Sequence, residues 1–310
     1  MPDPATIRIG TRGSELATTQ AGHVRDALIE LGQPAELVIV KTAGDHNRHD
    51  PVEKIGIGVF TQALRHALRE GVCDIIVHSF KDLPTLPEDD MMVAAVPERV
   101  DPREALISRD ATPLMDLPEG ARVGTSAPRR VSQLRALRSD LELVPLRGNI
   151  ETRMGRVSED LDAVILARAG LERTGRLGEI AESLDVDVLM PAPAQGALAL
   201  ECRTADREIV DILRKIDHPV SHARAVAERA VLSELEAGCT APVAAYATVS
   251  DSGELTLRAG VFAVDGSRQL LETATATVDK ADELGRKVAA ALLERGAHEV
   301  MGDTLRESQK

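Results

Sequence analysis

Over roughly the first 200 residues, short apolar runs alternate with amphipathic stretches, and few folds accept that pattern. The runs Ile7 to Gly10, Glu36 to Thr42, Asp74 to Ser79, Met92 to Val96, Ala105 to Ser108, Arg122 to Thr125, Leu141 to Leu146 and Asp162 to Leu166 have the length and composition of buried strands. The stretches between them predict helices starting near Ser14, Phe60, Ser126, Thr152 and Ala169, with Ser126 and Pro128 as a cap-then-proline start. Such an alternation is that of a parallel sheet covered by helices, an α/β fold. Pro97 to Pro102 reads as a crossover between two α/β units, and a second break, Pro191 to Gly196, leads into a strand from Ala197 to Cys202. From about Asp206 the texture changes. Helices Asp206 to Ile216 and Ser221 to Ala237 precede strands Ala244 to Val249, Glu254 to Val264 and Leu270 to Val278, and a helix from Lys280 to Arg295 follows. Three adjacent strands with helices make a smaller C-terminal α+β domain with an antiparallel sheet.

Charge and composition remove several function classes. A formal net charge of −13 opposes general attraction to nucleic acid or anionic lipid, and with no Trp, one Tyr and three Phe there is no stacking platform for bases. No apolar stretch approaches the roughly 20 residues that span a bilayer, and Met1 to Thr6 has no signal pattern. Cys73, Cys202 and Cys239 are widely spaced and cannot all pair, so neither a disulfide framework nor a metal site is expected. The expected compartment is the cytoplasm and the expected state a monomer.

The polar segments follow the strands. Asp82 lies in Val77-His78-Ser79-Phe80-Lys81-Asp82-Leu83-Pro84, directly after an apolar run. Open α/β sheets present chemistry at such carboxyl ends. A cation formed about 4 Å from that carboxylate gains on the order of 4 kcal/mol at an effective dielectric near 20. A plain strand-end salt bridge with Lys81 is the other reading. Thr11-Arg12-Gly13-Ser14, Gly124 to Arg130, Leu146 to Asn149 with Arg153, and Ala167 to Gly170 also follow strands. Between residues 121 and 180 there are eleven Arg, no Lys and eight acidic residues, a local net of 11 − 8 = +3 within an acidic chain. Glycines, helix starts and guanidinium groups together describe a pocket for a ligand with many acidic groups, unless each loop merely caps its own helix. Cys239 follows Gly238, a helix-ending residue, and so lies on a loop as a nucleophile, an attachment point or an inert thiol. Cys73 and Cys202 border apolar runs and read as core. The glycine-rich Lys54 to Phe60 lacks nucleotide P-loop spacing and is a lid or an ordinary loop. Phe60 and Phe80 pack either a flat ligand or the core.

Taken in order, TRGS, the Lys54 loop, HSFKDLP, GTSAPRR, LRGNIETR, PAPAQGALALECR and LEAGC closely resemble the porphobilinogen deaminase (hydroxymethylbilane synthase) family over nearly the whole chain. The resemblance implies two similar periplasmic-binding-protein-like α/β domains plus the smaller C-terminal α+β domain. The divisions are 1–98 with 197–217, then 103–192, then 220–310. It implies a transferase that condenses four porphobilinogen molecules head to tail into hydroxymethylbilane, releasing ammonia, on one covalent dipyrromethane primer per chain. By resemblance Asp82 is catalytic and Cys239 is the thioether attachment point. Lys81, Asp82, Thr125, Ser126, Arg129, Arg130 and Arg153 hold the cofactor, and Arg12, Ser14, Arg147 and Arg173 face the substrate. Two departures from the family pattern stand out: Ile57 in a shortened Lys54 loop, and Ala127-Pro128 in place of a more usual Ser-Leu. A non-catalytic protein that captures an organic anion between two lobes is the alternative. It leaves the loop cysteine, the Lys81-Asp82 pair and the C-terminal domain without a purpose.

Overall fold

The computed structural model describes residues 6–40, 59–238 and 240–302. They fall into two units, one of Met1–Arg99 with Ala197–His222 and one of Val100–Gly196 with Ala223–Lys310.

The first unit is built on a five-stranded sheet. Strands β1 (Ile7–Thr11), β2 (Ala35–Ile39), β3 (Ile75–Ser79), β4 (Met91–Ala95) and β10 (Leu198–Arg203) lie in the order β2-β1-β3-β10-β4. Helices α1 (Glu15–Glu30) and α2 (Val59–Arg69) pack on it. On α1 the buried residues Gln20, Ala21, Val24 and Leu28 follow helical spacing, which turns one stripe to the core.

The second unit repeats the layout. Strands β5 (Glu104–Ser108), β6 (Arg122–Gly124), β7 (Glu142–Val144), β8 (Ala163–Ala167) and β9 (Glu182–Leu184) run in the order β7-β6-β8-β5-β9. Its helices are α3 (Pro128–Leu137), α4 (Ile150–Glu159) and α5 (Arg168–Arg173). Both faces of this sheet are apolar. Leu106, Val123, Ala163 and Ile165 enter one core cluster, while Ala105, Ile107, Val164 and Leu166 enter another. Side chains alternate along a strand, so a strand buried on both sides reads as a continuous apolar run.

Neither sheet is wholly parallel, which corrects the expectation from the alternating pattern. β1 pairs parallel with β2 and β3, but β10 is antiparallel to β3 and β4. Likewise β6 is parallel to β7 and β8, while β5 is antiparallel to β8 and β9. In each sheet the reversed strand is the one whose chain has just arrived from the other unit. It has no preceding crossover helix within its own sheet to bring it round to the common direction.

Also in the second unit, β11 (Val243–Val249), β12 (Glu254–Phe262) and β13 (Gln269–Thr277) form a three-stranded antiparallel sheet. Its core shares residues with helices Pro219–Glu234 and Ala281–Glu294, including Val231, Leu232, Leu284, Val288 and Leu292. This is the expected α+β layer. Cys73 and Cys202 are both fully buried.

Candidate active site

In the first unit, β1 and β3 are parallel neighbours, so the loops after them leave the same edge of the sheet. This brings Arg12 and Ser14 to the edge that carries Lys81 and Asp82. Ser14 caps α1, its hydroxyl accepting from the Ala17 N–H at 3.4 Å. After β3 the chain makes a 3-10 turn, Phe80–Asp82, with Phe80 buried as a core residue and its N–H donating to Ala197 O at 3.0 Å. Ser79 is held by Gln20 at 2.9 Å. Beneath the turn, His78 Nε2 lies 3.2 Å from Glu201 Oε2, and Arg65 donates to Glu201 through Nη2 at 2.8 Å. The turn is thus fixed by buried partners while its last residue points outward. Asp82 is exposed, and its carboxylate makes no hydrogen bond or ion pair with any described residue. The strand-end salt bridge is therefore not formed.

In the second unit the corresponding edge is lined by donors. Gly124 packs too closely for a side chain, since a Cβ there would sit 2.6 Å from Leu161 Cδ1. Thr125 follows, its N–H donating to Val144 O at 2.9 Å. Its side chain is buried, yet the hydroxyl has no hydrogen-bond partner among the described residues. Ser126 does not cap the next helix; Ala127 occupies the cap position, with Pro128 opening α3. Instead the Ser126 hydroxyl donates to Leu146 O and accepts from Leu146 N–H, both at 2.7 Å, tying the loop after β6 to the loop after β7. Gly148 then takes φ +101°, which only glycine adopts without strain. Asn149 caps α4 at 2.8 Å, and Arg153 Nε donates to Gly148 O at 2.7 Å. Arg147 stays exposed.

Arg129 and Arg130, in the first turn of α3, are buried. Their Nη2 groups bind the two oxygens of one carboxylate, Glu104, at 2.5 and 2.8 Å. Their Nη1 groups bind Met190 O at 2.6 Å and Ile165 O at 2.9 Å. Arg130 Nε is buried with no partner among the described residues. Burial pushes the Arg129 guanidinium below its ordinary pKa, against the pull of Glu104. Arg173, at the end of α5, donates to Gly196 O at 2.7 Å, and no carboxylate among the described residues pairs with it. Burial takes its pKa down to about 10. A desolvated cation of this kind gains most from an anion brought to it.

Sequence reading missed Glu104, Gln20 and the Arg65–Glu201–His78 cluster. The signal for Glu104 and Glu201 was present: an acid inside or at the head of an apolar strand needs a partner. Cys239 and the Lys54 loop up to residue 58 lie outside the described residues. The other two thiols are buried in the core. Burial, with neighbouring acids, raises both Cys73 and Cys202 to about 11, so neither supplies thiolate near neutrality. In the folded protein, iodoacetamide at about pH 8 should leave Cys73 and Cys202 unlabelled while urea exposes both. Peptide mass mapping reads this, and native labelling at the rate of free cysteine would contradict it.

A dipyrromethane carries acetate and propionate groups, which only accept hydrogen bonds when ionised. The Thr125 hydroxyl and the Arg130 Nε–H, both without a partner among the described residues, are donors, so the residues present fit such a group.

Fold and donor-lined edge together define an α/β protein suited to a ligand rich in carboxylates. Residues 7–211 match the family model described as porphobilinogen deaminase, dipyromethane cofactor binding domain, and residues 222–294 match porphobilinogen deaminase, C-terminal domain. The chain is 59% identical over 300 residues to the porphobilinogen deaminase of Corynebacterium efficiens, covering 96% of this chain and 100% of that one. It is 55% identical over 304 residues to that of Nocardia farcinica, covering 95% and 88%. Among solved structures it resembles the L-cystine solute receptor of Neisseria gonorrhoeae at 14% identity, with a TM-score of 0.39 over 72% of this chain and 90% of that one. The chain belongs to the porphobilinogen deaminase family and is an enzyme with that family's cofactor-binding domain. The non-catalytic anion-binding alternative is set aside.

Proposed function

We propose that the chain condenses four porphobilinogen molecules head to tail into hydroxymethylbilane, releasing ammonia at each step, as part of porphyrin and heme biosynthesis. Asp82 carries this reading: an exposed carboxylate with no partner among the described residues, held on a fixed turn at the carboxyl edge of a sheet. Its role is to stabilise the methylene-pyrrole cation left when porphobilinogen loses ammonia, by facing the pyrrole N–H and helping to move its proton. A dipyrromethane, bound as a thioether to Cys239, supplies the free α-carbon from which the chain grows. Lys81, Thr125, Ser126, Arg129, Arg130 and Arg153 hold its carboxylates. Ser126 does so through the loop it fixes, since its hydroxyl is already engaged with Leu146. Arg12, Ser14, Arg147 and Arg173 receive the acetate and propionate of the incoming ring. Each charge-assisted hydrogen bond contributes about 1.5–3 kcal/mol.

The reading includes three domains, 1–98 with 197–217, 103–192 and 220–310, supported by three separate sheets and by family matches that break between residues 211 and 222. It also includes the cytoplasm as compartment, supported by three widely spaced cysteines without a CxxC pattern, and a monomeric state.

Intact mass spectrometry tests the proposal. The purified protein should exceed its sequence mass by two linked pyrrole units, turn over porphobilinogen, and lose both properties on Cys239→Ser. Folded wild-type protein at its bare sequence mass, inactive towards porphobilinogen, would overturn it.

A further inference from the structure

Glu104 stands first in β5, the reversed strand of its sheet, and so lies at the edge where β6 and β8 end. It is fully buried, and each of its oxygens takes one guanidinium, Arg129 at 2.5 Å and Arg130 at 2.8 Å. These arginines occupy the first turn of a ten-residue helix that has no acidic residue in that turn and no side-chain cap. Cations there oppose the helix dipole, whose amino end already carries about half a positive charge. Two guanidiniums against one carboxylate leave one positive charge, and the helix end adds to it. A carboxylate brought to this edge therefore still meets a net positive charge. Glu104 also fixes direction. With Nη1 of each arginine on a main-chain carbonyl and Nη2 on Glu104, the Nε–H of Arg130 is left buried and unsatisfied.

We infer that Glu104 is a positioning residue for the cofactor: its shared carboxylate orients Arg129 and Arg130 so that the buried Nε–H of Arg130 is turned to a cofactor carboxylate. This rests on the function proposed above and adds a residue to it. Glu104 acts through the two arginines that it binds.

The test measures how much of the folded protein carries the two-pyrrole mass, a quantity a purely structural role would leave unchanged. Glu104→Gln keeps the shape and loses the charge, and its loaded fraction should fall about tenfold, the loss of roughly one charge-assisted hydrogen bond. Glu104→Asp keeps the charge and should load within about twofold of wild type. Full loading of folded Glu104→Gln would overturn the inference. Should that variant fail to fold, the charge-balanced Glu104→Gln/Arg129→Met is compared with Arg129→Met alone. Glu104 acting on Arg130 predicts loading at least about fivefold lower in the double variant, and equal loading would overturn the inference. Wild-type protein without the mass increment would instead sink the proposed function itself.

Discussion

Asp82→Asn should retain the dipyrromethane mass increment and lose about a thousandfold in porphobilinogen turnover. The size follows from charge alone. A carboxylate about 4 Å from a forming cation contributes on the order of 4 kcal/mol at an effective dielectric near 20, and each 1.36 kcal/mol is about tenfold in rate. Asparagine preserves the shape and keeps an acceptor oxygen, so geometry survives the change. Since Asp82 is exposed and makes no hydrogen bond or ion pair with any described residue, its replacement leaves no protein donor stranded. Stability should therefore stay within about 0.5 kcal/mol of wild type. Single-turnover kinetics on protein of confirmed loaded mass, with a denaturation curve beside it, separates the two effects. Turnover within tenfold of wild type would remove Asp82 from its role.

The free state of Asp82 and the engaged state of the arginines differ in how far sequence could show them. That polar loops follow apolar strands is a local pattern, and it placed Arg12, Asp82, Thr125 and Arg147 at strand ends, where they lie. Strand direction was not legible, because an apolar run buried on both faces reads alike in either sense. Hence β5 and β10 look no different from their neighbours in sequence, yet they run opposite to the strands beside them. The same reversal carries Glu104 to the functional edge. From sequence alone it is an acid beside a proline break, with no sign of the two arginines some 25 residues away that it joins. Ser126 shows a second limit. Its place before Pro128 suits a helix cap, but a partner twenty residues on, Leu146, takes the hydroxyl instead. Local propensity gives way wherever a tertiary hydrogen bond competes for the same atom.

That competition is sharpest under the Asp82 turn, where one substitution should cost more stability than any change at the exposed loops. Arg65 and Glu201 are each only 3% exposed. Arg65 binds Glu201 through Nε at 3.1 Å and Nη2 at 2.8 Å, and Glu88 through Nη1 at 3.0 Å. Arg65→Met leaves Glu201 buried with His78 alone, and breaking a buried pair in this way costs about 3–5 kcal/mol. The penalty should also depend on pH with a definite sign. In the wild type, burial pushes the Glu201 pKa up, but the hydrogen bonds from His78 and Arg65 outweigh it and hold the carboxyl below its ordinary value of 4.5. The unfolded chain then binds the proton more tightly. Glu201's contribution is therefore present above about pH 4.5 and lost as pH falls through the lower folded value. Without Arg65 the folded carboxyl moves upward, so the folded variant takes up its proton at higher pH than the wild type does. The stability gap between the two is widest at neutrality and narrows as the medium turns acidic. Urea unfolding of both proteins at about pH 7 and about pH 4.5 measures this. A gap that stayed constant, or widened in acid, would show that the lost stability came from packing of the Arg65 side chain and not from the charge it holds against Glu201.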